Sequence, residues 1–446
     1  MPAKDNKILL KETIMTIQEK YKTKLRTLEE CVRFIQNGDS IITSGAAGEP
    51  GVFLRSIPEW GHGVKGVTIH KSRELMFDYL RDPTLKGHIH TVGHFFSENL
   101  REGYQIGTCS YVPSDLHNFM TIRSQVSPDK IFWARTTAME KDGNFCIPYC
   151  QFFEYEAAQN ASHIILEVNL NPKYAPVRGA CRIPIDRVDM LYEVNEPLFT
   201  LPEFVSTEKD EKIGSYIASL IHDGDCIQFG LGGLPDALAR HLMDKNDLGM
   251  HSEMFSSSMA RLIEAGIITG KVKTLNKGEH IATFILGDEN LYRVASEDKN
   301  FRLVPCSYGN DPKVIAQNDN MVSVNTLLEI DLTGQINSES IGALQWSGTG
   351  GADDYAIGAL HSKGGRGIFA FESTTRKGIS KIKSTLAPGS VVSVSRNHAD
   401  ILVTEYGYVS LRGKTVSQRV EAVISIAHPD FRADLRAEAK KLKYID

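Results

Sequence analysis

The stretch Cys31-Val32-Arg33-Phe34-Ile35-Gln36-Asn37-Gly38-Asp39-Ser40-Ile41-Ile42-Thr43-Ser44-Gly45-Ala46-Ala47-Gly48-Glu49-Pro50 has an echo later in the chain. The echo is Ile217-Ala218-Ser219-Leu220-Ile221-His222-Asp223-Gly224-Asp225-Cys226-Ile227-Gln228-Phe229-Gly230-Leu231-Gly232-Gly233-Leu234-Pro235. Each reads as a short amphipathic helix, a Gly-Asp turn, an apolar strand, a glycine-rich turn and a proline suited to the first turn of a following helix. The two Gly-Asp pairs stand 186 residues apart, with one residue of slippage before the second proline. A unit used twice predicts two similar open α/β domains, 1–205 and 206–446. The junction falls near 200–212, beside Pro197, Pro202 and the charged run Glu208-Lys209-Asp210-Glu211-Lys212.

Outward from these units, short β-branched runs recur at 67–69, 164–168, 391–394 and 401–404. Helical patterns alternate with them, such as Pro235 to Met243 and Ser256 to Ala265, the second stopped by Gly266 at a C′-like position. Apolar strands alternating with helices favour mainly parallel sheets covered on both faces. Ligands of such sheets sit at the carboxyl ends of the strands, where both glycine-rich turns fall.

One carboxylate stands out in that frame. Glu253 lies in Leu248-Gly249-Met250-His251-Ser252-Glu253-Met254-Phe255, between the turn at Gly230–Gly233 and a second glycine-rich run, Ser347-Gly348-Thr349-Gly350-Gly351. A carboxylate can act as a covalent nucleophile, and glycine-rich turns can offer backbone N–H groups to a developing oxyanion. Each part alone is a common structural feature; the set and its order point to acyl transfer through a glutamyl intermediate.

Composition narrows the field. The 446 residues are 41% hydrophobic and 24% charged, the profile of an ordinary globular protein able to bury large cores. A net charge of -5 argues against a nucleic-acid partner. The first residues lack a long apolar segment and no run approaches a membrane span, so a cytoplasmic protein is expected, with no membrane partner. Seven scattered cysteines fit reduced thiols better than a disulfide framework. Cys146 and Cys150, and the cluster His88, His90 and His94, are the two places with metal-ligand residue types. Neither has a complete ligand set, and no metal is expected.

Several further blocks then carry a resemblance. They include Gln228-Phe229-Gly230-Leu231-Gly232-Gly233-Leu234-Pro235, Asn310-Asp311-Pro312, Leu328 to Gln335, Glu339-Ser340-Ile341-Gly342, Thr404-Glu405-Tyr406-Gly407 and Ala427-His428-Pro429. With the segment around Glu253, they resemble the class I CoA-transferases of the acetyl-CoA hydrolase/transferase type, the branch with 4-hydroxybutyrate CoA-transferases and butyryl-CoA:acetate CoA-transferases. The match is dense from about 213 to 435. The resemblance implies an active site in the cleft between the domains, with Glu253 as nucleophile and coenzyme A or acyl-CoA as substrate. It implies no permanently bound cofactor, small carboxylic acids as the other partners, and a homodimer or homotetramer.

By the same resemblance, Gly232 and Gly350 are expected to serve the oxyanion. Gly230, Gly233, Gly348 and Gly351 would contact the CoA. Gln335 and Glu339 would orient Glu253 or support its loop. The N-terminal half would wall the acid site, with Gly48, Glu49, His70 and His94 as candidates. The chain departs from the family where an Asp-Gly pair usually follows the Glu-Met; here Ser257-Ser258 stand, able to cap the next helix. Two competing readings remain at this stage: a CoA-thioester hydrolase on the same scaffold, and a CoA-binding protein without turnover. A nicotinamide-dependent oxidoreductase is disfavoured, because neither glycine loop has the Gly-x-Gly-x-x-Gly fingerprint with an acidic residue about 20 positions on.

Overall fold

The computed structural model describes residues 15–72, 77–126 and 129–446. The first seven residues, on which the reading of a leaderless start rests, lie outside the described residues.

The N-terminal sheet holds β1 (Ser40–Thr43), β2 (Val67–Lys71), β3 (Ile89–Gly93), β4 (Cys109–Tyr111), β5 (Ile131–Thr137), β6 (His163–Asn169) and β7 (Met190–Val194). Its order is β4-β3-β2-β1-β5-β6-β7, parallel throughout. The C-terminal sheet holds β8 (Cys226–Phe229), β9 (Gly249–His251), β10 (His280–Ala282), β11 (Phe301–Leu303), β12 (Met321–Asn325), β13 (Arg366–Ala370), β14 (Ile401–Thr404) and β15 (Gly407–Ser410). Its order is β11-β10-β9-β8-β12-β13-β14-β15, parallel except for the terminal hairpin. The two orders are the same walk: three strands added on one side of the first, the rest on the other. The strands of the repeated unit, β1 and β8, are therefore the switch strands of their sheets. Their glycine-rich turns sit where open α/β sheets bind ligands.

The local signals act as their chemistry dictates. Pro50 stands at the N-cap of the helix Gly51–Trp60, and Pro235 is the third residue of the helix Gly233–His241. The charged run at 208–212 opens the helix Glu208–Ser219, where Thr207 and Asp210 form a capping box. Gly266 takes φ +74° just past the helix Ser257–Glu264, as a C′ residue does. The run at 391–394 is not a sheet strand: Val391 and Val392 are largely exposed, and only Val394 bridges to Ile336. A β-branched run needs an apolar face to cover it, and here only Val394 has one, in a cluster with Ile336 and Leu411.

The two halves are not separate bodies. One apolar cluster runs from Ile42 and Phe145 of the first half to Phe255 and Phe284 of the second. The segment 149–152 is threaded into the second half: Gln151 N–H donates to the Thr283 carbonyl at 2.8 Å, and Ile285 N–H to the Tyr149 carbonyl at 2.9 Å. The Phe152 and Phe284 rings lie 4.7 Å apart. Cys146 and Cys150 belong to this seam as buried thiols.

Candidate active site

Glu253 sits at a bend between β9 and the short strand Met254–Phe255, itself paired with Phe284–Ile285. Its main-chain carbonyl accepts three hydrogen bonds: from Thr283 N–H (2.9 Å), Phe284 N–H (3.1 Å) and the Thr283 hydroxyl (2.6 Å). The backbone is thus fixed while the carboxylate reaches into a cleft of about 310 Å³. The Asn310 amide donates to Glu253 Oε2 at 3.2 Å. Asn310 is itself aimed by the preceding peptide, whose Gly309 carbonyl contacts His251 Nε2 (2.9 Å) and accepts from Tyr355 OH (3.0 Å). Burial lowers the His251 imidazole to about 3, so the ring is neutral and serves as scaffold.

Above the carboxylate lies the Gly348–Gly351 loop. The Glu339 carbonyl anchors its start by accepting from Trp346 N–H (2.7 Å) and Ser347 N–H (2.9 Å). A Cβ on Gly348 would stand 2.8 Å from Phe96 N, so glycine lets the loop close onto the N-terminal half. A Cβ on Gly351 would stand 1.9 Å from Glu253 Oε2 and 2.4 Å from Asn310 Nδ2. Gly350 takes φ +57°, in the left-handed region. Gly351 is also the N-cap of the helix Ala352–His361 and makes no side-chain cap bond. The helix N-terminus, with its unsatisfied N–H groups and positive end, therefore borders the cleft beside Glu253.

From below, Gly230 and Leu231 after β8, and Asn325 and Thr326 at the end of β12, complete the cleft at the switch point. Gly230 has open space where a Cβ would stand. Gly232 takes φ +125° to start the next helix, and Gly233 packs against Val205 and Asp210; neither lines the cleft. Two clamps tie the N-terminal half across the site. The Arg101 guanidinium lies 3.6 Å from the centre of the Trp346 ring, and His117 Nδ1 meets Asp354 Oδ1 at 2.7 Å.

Several expected positions fall elsewhere. Gln335 donates to Asp331 Oδ2 at 2.6 Å within its own turn, outside the cleft lining. Glu49 is buried in an ion pair with Lys71 at 2.6 Å, and Gly48 is buried against Cys150 and Ile147. His70 is paired with His94, Nδ1 to Nε2 at 3.4 Å, and of the four N-terminal candidates only His94 reaches the space beside Glu253. Ser257 and Ser258 do not cap their helix. Ser256 holds the N-cap position without a cap bond, its hydroxyl 3.1 Å from that of Ser258, while the Ser257 hydroxyl accepts from Asp288 N–H at 3.0 Å.

The residues that sequence reading missed are the walls: Phe95, Phe119, Phe152 and Phe284, with Asn325 and Thr326. His88 and His90 bond separately to the Val64 carbonyl and the Ser110 hydroxyl. Among the described residues, Asp115, His117 and Asp354 bring three ligand-type atoms together, but His117 and Asp354 are already bonded to each other. Among the described residues, no helix is long and apolar enough to cross a membrane.

Comparison with known proteins agrees with this geometry. The N-terminal domain of the acetyl-CoA hydrolase/transferase family matches residues 10–202, and its C-terminal domain residues 287–439. The chain is 36% identical to the succinyl-CoA:cyclohexane-1-carboxylate CoA transferase of Geobacter metallireducens, over 98% of this chain and 99% of that protein. It is 35% identical to the 4-hydroxybutyrate coenzyme A transferase of Clostridium kluyveri, over 96% of this chain and all of that protein. Among solved structures, RipA from Yersinia pestis superposes with a TM-score of 0.90 at 32% identity, covering 97% of this chain and all of that one. The 4-hydroxybutyrate CoA-transferase from Porphyromonas gingivalis gives 0.80 at 31% identity, covering 96% of this chain and all of that one. With a full-length match in sequence and fold, and a carboxylate set under a glycine loop at the switch point, the chain belongs to the acetyl-CoA hydrolase/transferase family and is a CoA-transferase.

Proposed function

We propose that this enzyme moves CoA between an acyl-CoA and a free short-chain carboxylic acid through a thioester on Glu253. The Glu253 carboxylate attacks the thioester carbonyl; the C–S bond breaks, giving an acyl-glutamyl anhydride and CoA thiolate. The thiolate attacks the Glu253 carbonyl carbon and releases the first acid, leaving glutamyl-CoA. The incoming carboxylate attacks that thioester, forms a new anhydride and expels the thiolate. Attack of the thiolate on the new acyl carbon restores Glu253 and releases the product. Atoms balance without ATP, metal or resident cofactor, and the kinetics are ping-pong.

The observation that carries this reading is the setting of the Glu253 carboxylate. It accepts from Asn310 and lies against the Gly350-Gly351 backbone at an uncapped helix N-terminus. A tetrahedral intermediate at Glu253 bears an oxyanion, and fixed donors of this kind supply about 3 kcal/mol each in comparable acyl transfers. Acetate, butyrate, 4-hydroxybutyrate and succinate, named in the family's curated members, are the first acids to offer. The functional unit is a homodimer or homotetramer of a cytoplasmic protein, with domains parting near residue 205.

The test is mass-spectrometric product analysis of purified protein given acetyl-CoA and a panel of acids, beside Glu253→Ala. New acyl-CoA species that need both an acid and Glu253 are expected. Free CoA without new thioesters would convert the reading to a hydrolase.

A further inference from the structure

At Glu253 the cleft borders the N-terminal half. Phe95, Glu253 and Phe284 line both the cleft and a narrow throat of about 20 Å³, whose other walls include Leu116, Phe119 and Phe152. His94 and Phe119 line the throat and also a second, wider chamber of about 440 Å³. The three spaces thus adjoin one another through shared walls. The His94 and Phe119 rings, with centres 4.2 Å apart, stand between throat and chamber.

The chamber is apolar where it is open. Val112, Pro113, Phe119 and Ile122 form its walls, and Val112 and Ile122 are 41% and 52% exposed. Phe119, Ile122 and Arg123 come from one helix, Phe119–Val126, at a spacing that puts them on one face. Among the described residues Arg123 is the chamber's one permanent cation, and Asp129 engages its guanidinium through two contacts. Burial, with His70 and Arg123 nearby, holds the His94 imidazole far below its ordinary value, so His94 brings no charge. Its Nδ1 is buried without a hydrogen-bond partner. The Asp115 carboxylate at the rim repels an anion. A second carboxylate on the acid would find poor compensation here, whereas apolar carbon would find walls.

We infer that the throat and chamber hold the body of the transferred acid, and that the enzyme selects a monocarboxylate with an apolar body of about five carbons or more over short acids and dicarboxylates. The inference rests on the transferase reading, because it places the acid's carboxyl at Glu253, and it replaces the short-chain acids of that reading with a larger apolar one. Each methylene buried in the chamber raises kcat/KM roughly fourfold, as about 0.8 kcal/mol per methylene implies.

The experiment measures kcat/KM with acetyl-CoA as donor and propionate, succinate, hexanoate or cyclohexane-1-carboxylate as acceptor. Wild-type enzyme is expected to favour hexanoate, cyclohexane-1-carboxylate or both over propionate by at least about tenfold, with succinate below propionate. The hexanoate arm reports a straight chain threading the throat; the cyclohexane arm reports a ring seated against it. Ile122→Trp and Val112→Phe, at two independent exposed positions, fill the chamber and should each lower the large-acid to propionate ratio about tenfold. A preference for propionate or succinate overturns the inference and leaves the transferase reading standing. So does a ratio that neither variant moves, the result if the chamber instead seats a second copy of the chain. Failure to transfer CoA to any acid overturns the transferase reading itself, and this inference with it.

Discussion

The two glycine-rich turns of the repeated unit occupy the same place in the same strand order, yet only one opens onto a site. After β1, the turn is filled by the chain's own carboxylates. Gly45 N–H donates to Glu154 at 3.0 Å, and Val52 and Phe53 N–H groups, at the start of the next helix, donate to Glu167 at 3.0 and 3.1 Å. Arg135 and the Tyr192 hydroxyl in turn hold Glu167 at 2.6 and 2.7 Å. Residues 46–49 are buried, and Glu49 is sealed against Lys71. After β8, the equivalent turn is half exposed and lines the cleft below Glu253. A helix N-terminus at a switch point attracts an anion in either domain. In the first domain the anion is Glu167 and the result is stability; in the second the site is left to a substrate.

That contrast makes separable predictions. The largest effect is expected from Glu253→Ala: transfer falls by more than about 10⁴-fold while circular dichroism and melting temperature stay close to wild type. A variant that kept most of its turnover would end the covalent reading. Next is Glu167→Ala, which leaves the buried Arg135 with only Glu196, 3.9 Å away, and costs about 3–5 kcal/mol of stability in denaturant titration. Turnover per folded molecule should hold; a loss of turnover at full folding would mean that the first turn also serves the site.

Gly351→Ala sets a methyl 1.9 Å from Glu253 Oε2 and should lower kcat/KM about 10²-fold by displacing the carboxylate. Gly48→Ala, in the first turn, meets its neighbours at 3.8 Å or more and should change activity less than about twofold. Equal effects at the two glycines would erase the comparison.

A pH-dependent effect concerns charge across the seam. Burial raises the Asp354 carboxyl to about 6, and the Asp354 hydrogen bond raises the His117 imidazole. Both groups bind protons more tightly folded than unfolded. Their contribution is therefore complete below the unfolded values, about 4 for Asp and 6.5 for His, and is lost as pH rises through the raised folded values. Wild-type stability relative to Asp354→Asn should fall by about 1–3 kcal/mol between pH 4 and 7 in urea titrations. A difference that grows with pH would reverse the assignment.

Much of the fold was legible because its signals are local. Gly-Asp turns, apolar strands, Pro50 and Pro235, and the Gly266 stop each act within a few residues, and the structure follows them. Sequence pattern and structure part where local pattern and tertiary cover diverge. The run 391–394 has strand composition, but only Val394 meets a strand, at Ile336. Gln335 lies in a block of family-like sequence but spends its side chain on Asp331, four residues back. The glycine loop and Glu253 were visible as a set. Asn310 stood in a recognised block, yet nothing local tells that its amide points at a carboxylate 57 positions earlier. The aromatic walls are less legible still. Phe95, Phe119, Phe152 and Phe284 come from four separate segments, each an ordinary core residue by composition.

By itself, then, the sequence determined two copies of one helix–turn–strand–turn unit, the parallel sheets they seed, and a single glutamate among glycine-rich loops. Backbone preference and hydrophobic period, which act over a few residues, are enough for that. Only the tertiary structure decided which of the two turns would be a site. Glu154 and Glu167 reach the first turn from 109 and 115 positions away, while the second turn meets Glu253 and the Gly348–Gly351 loop instead. Whether a helix N-terminus is filled or open depends on which distant carboxylate the packed sheets bring to it, and no local pattern carries that distance.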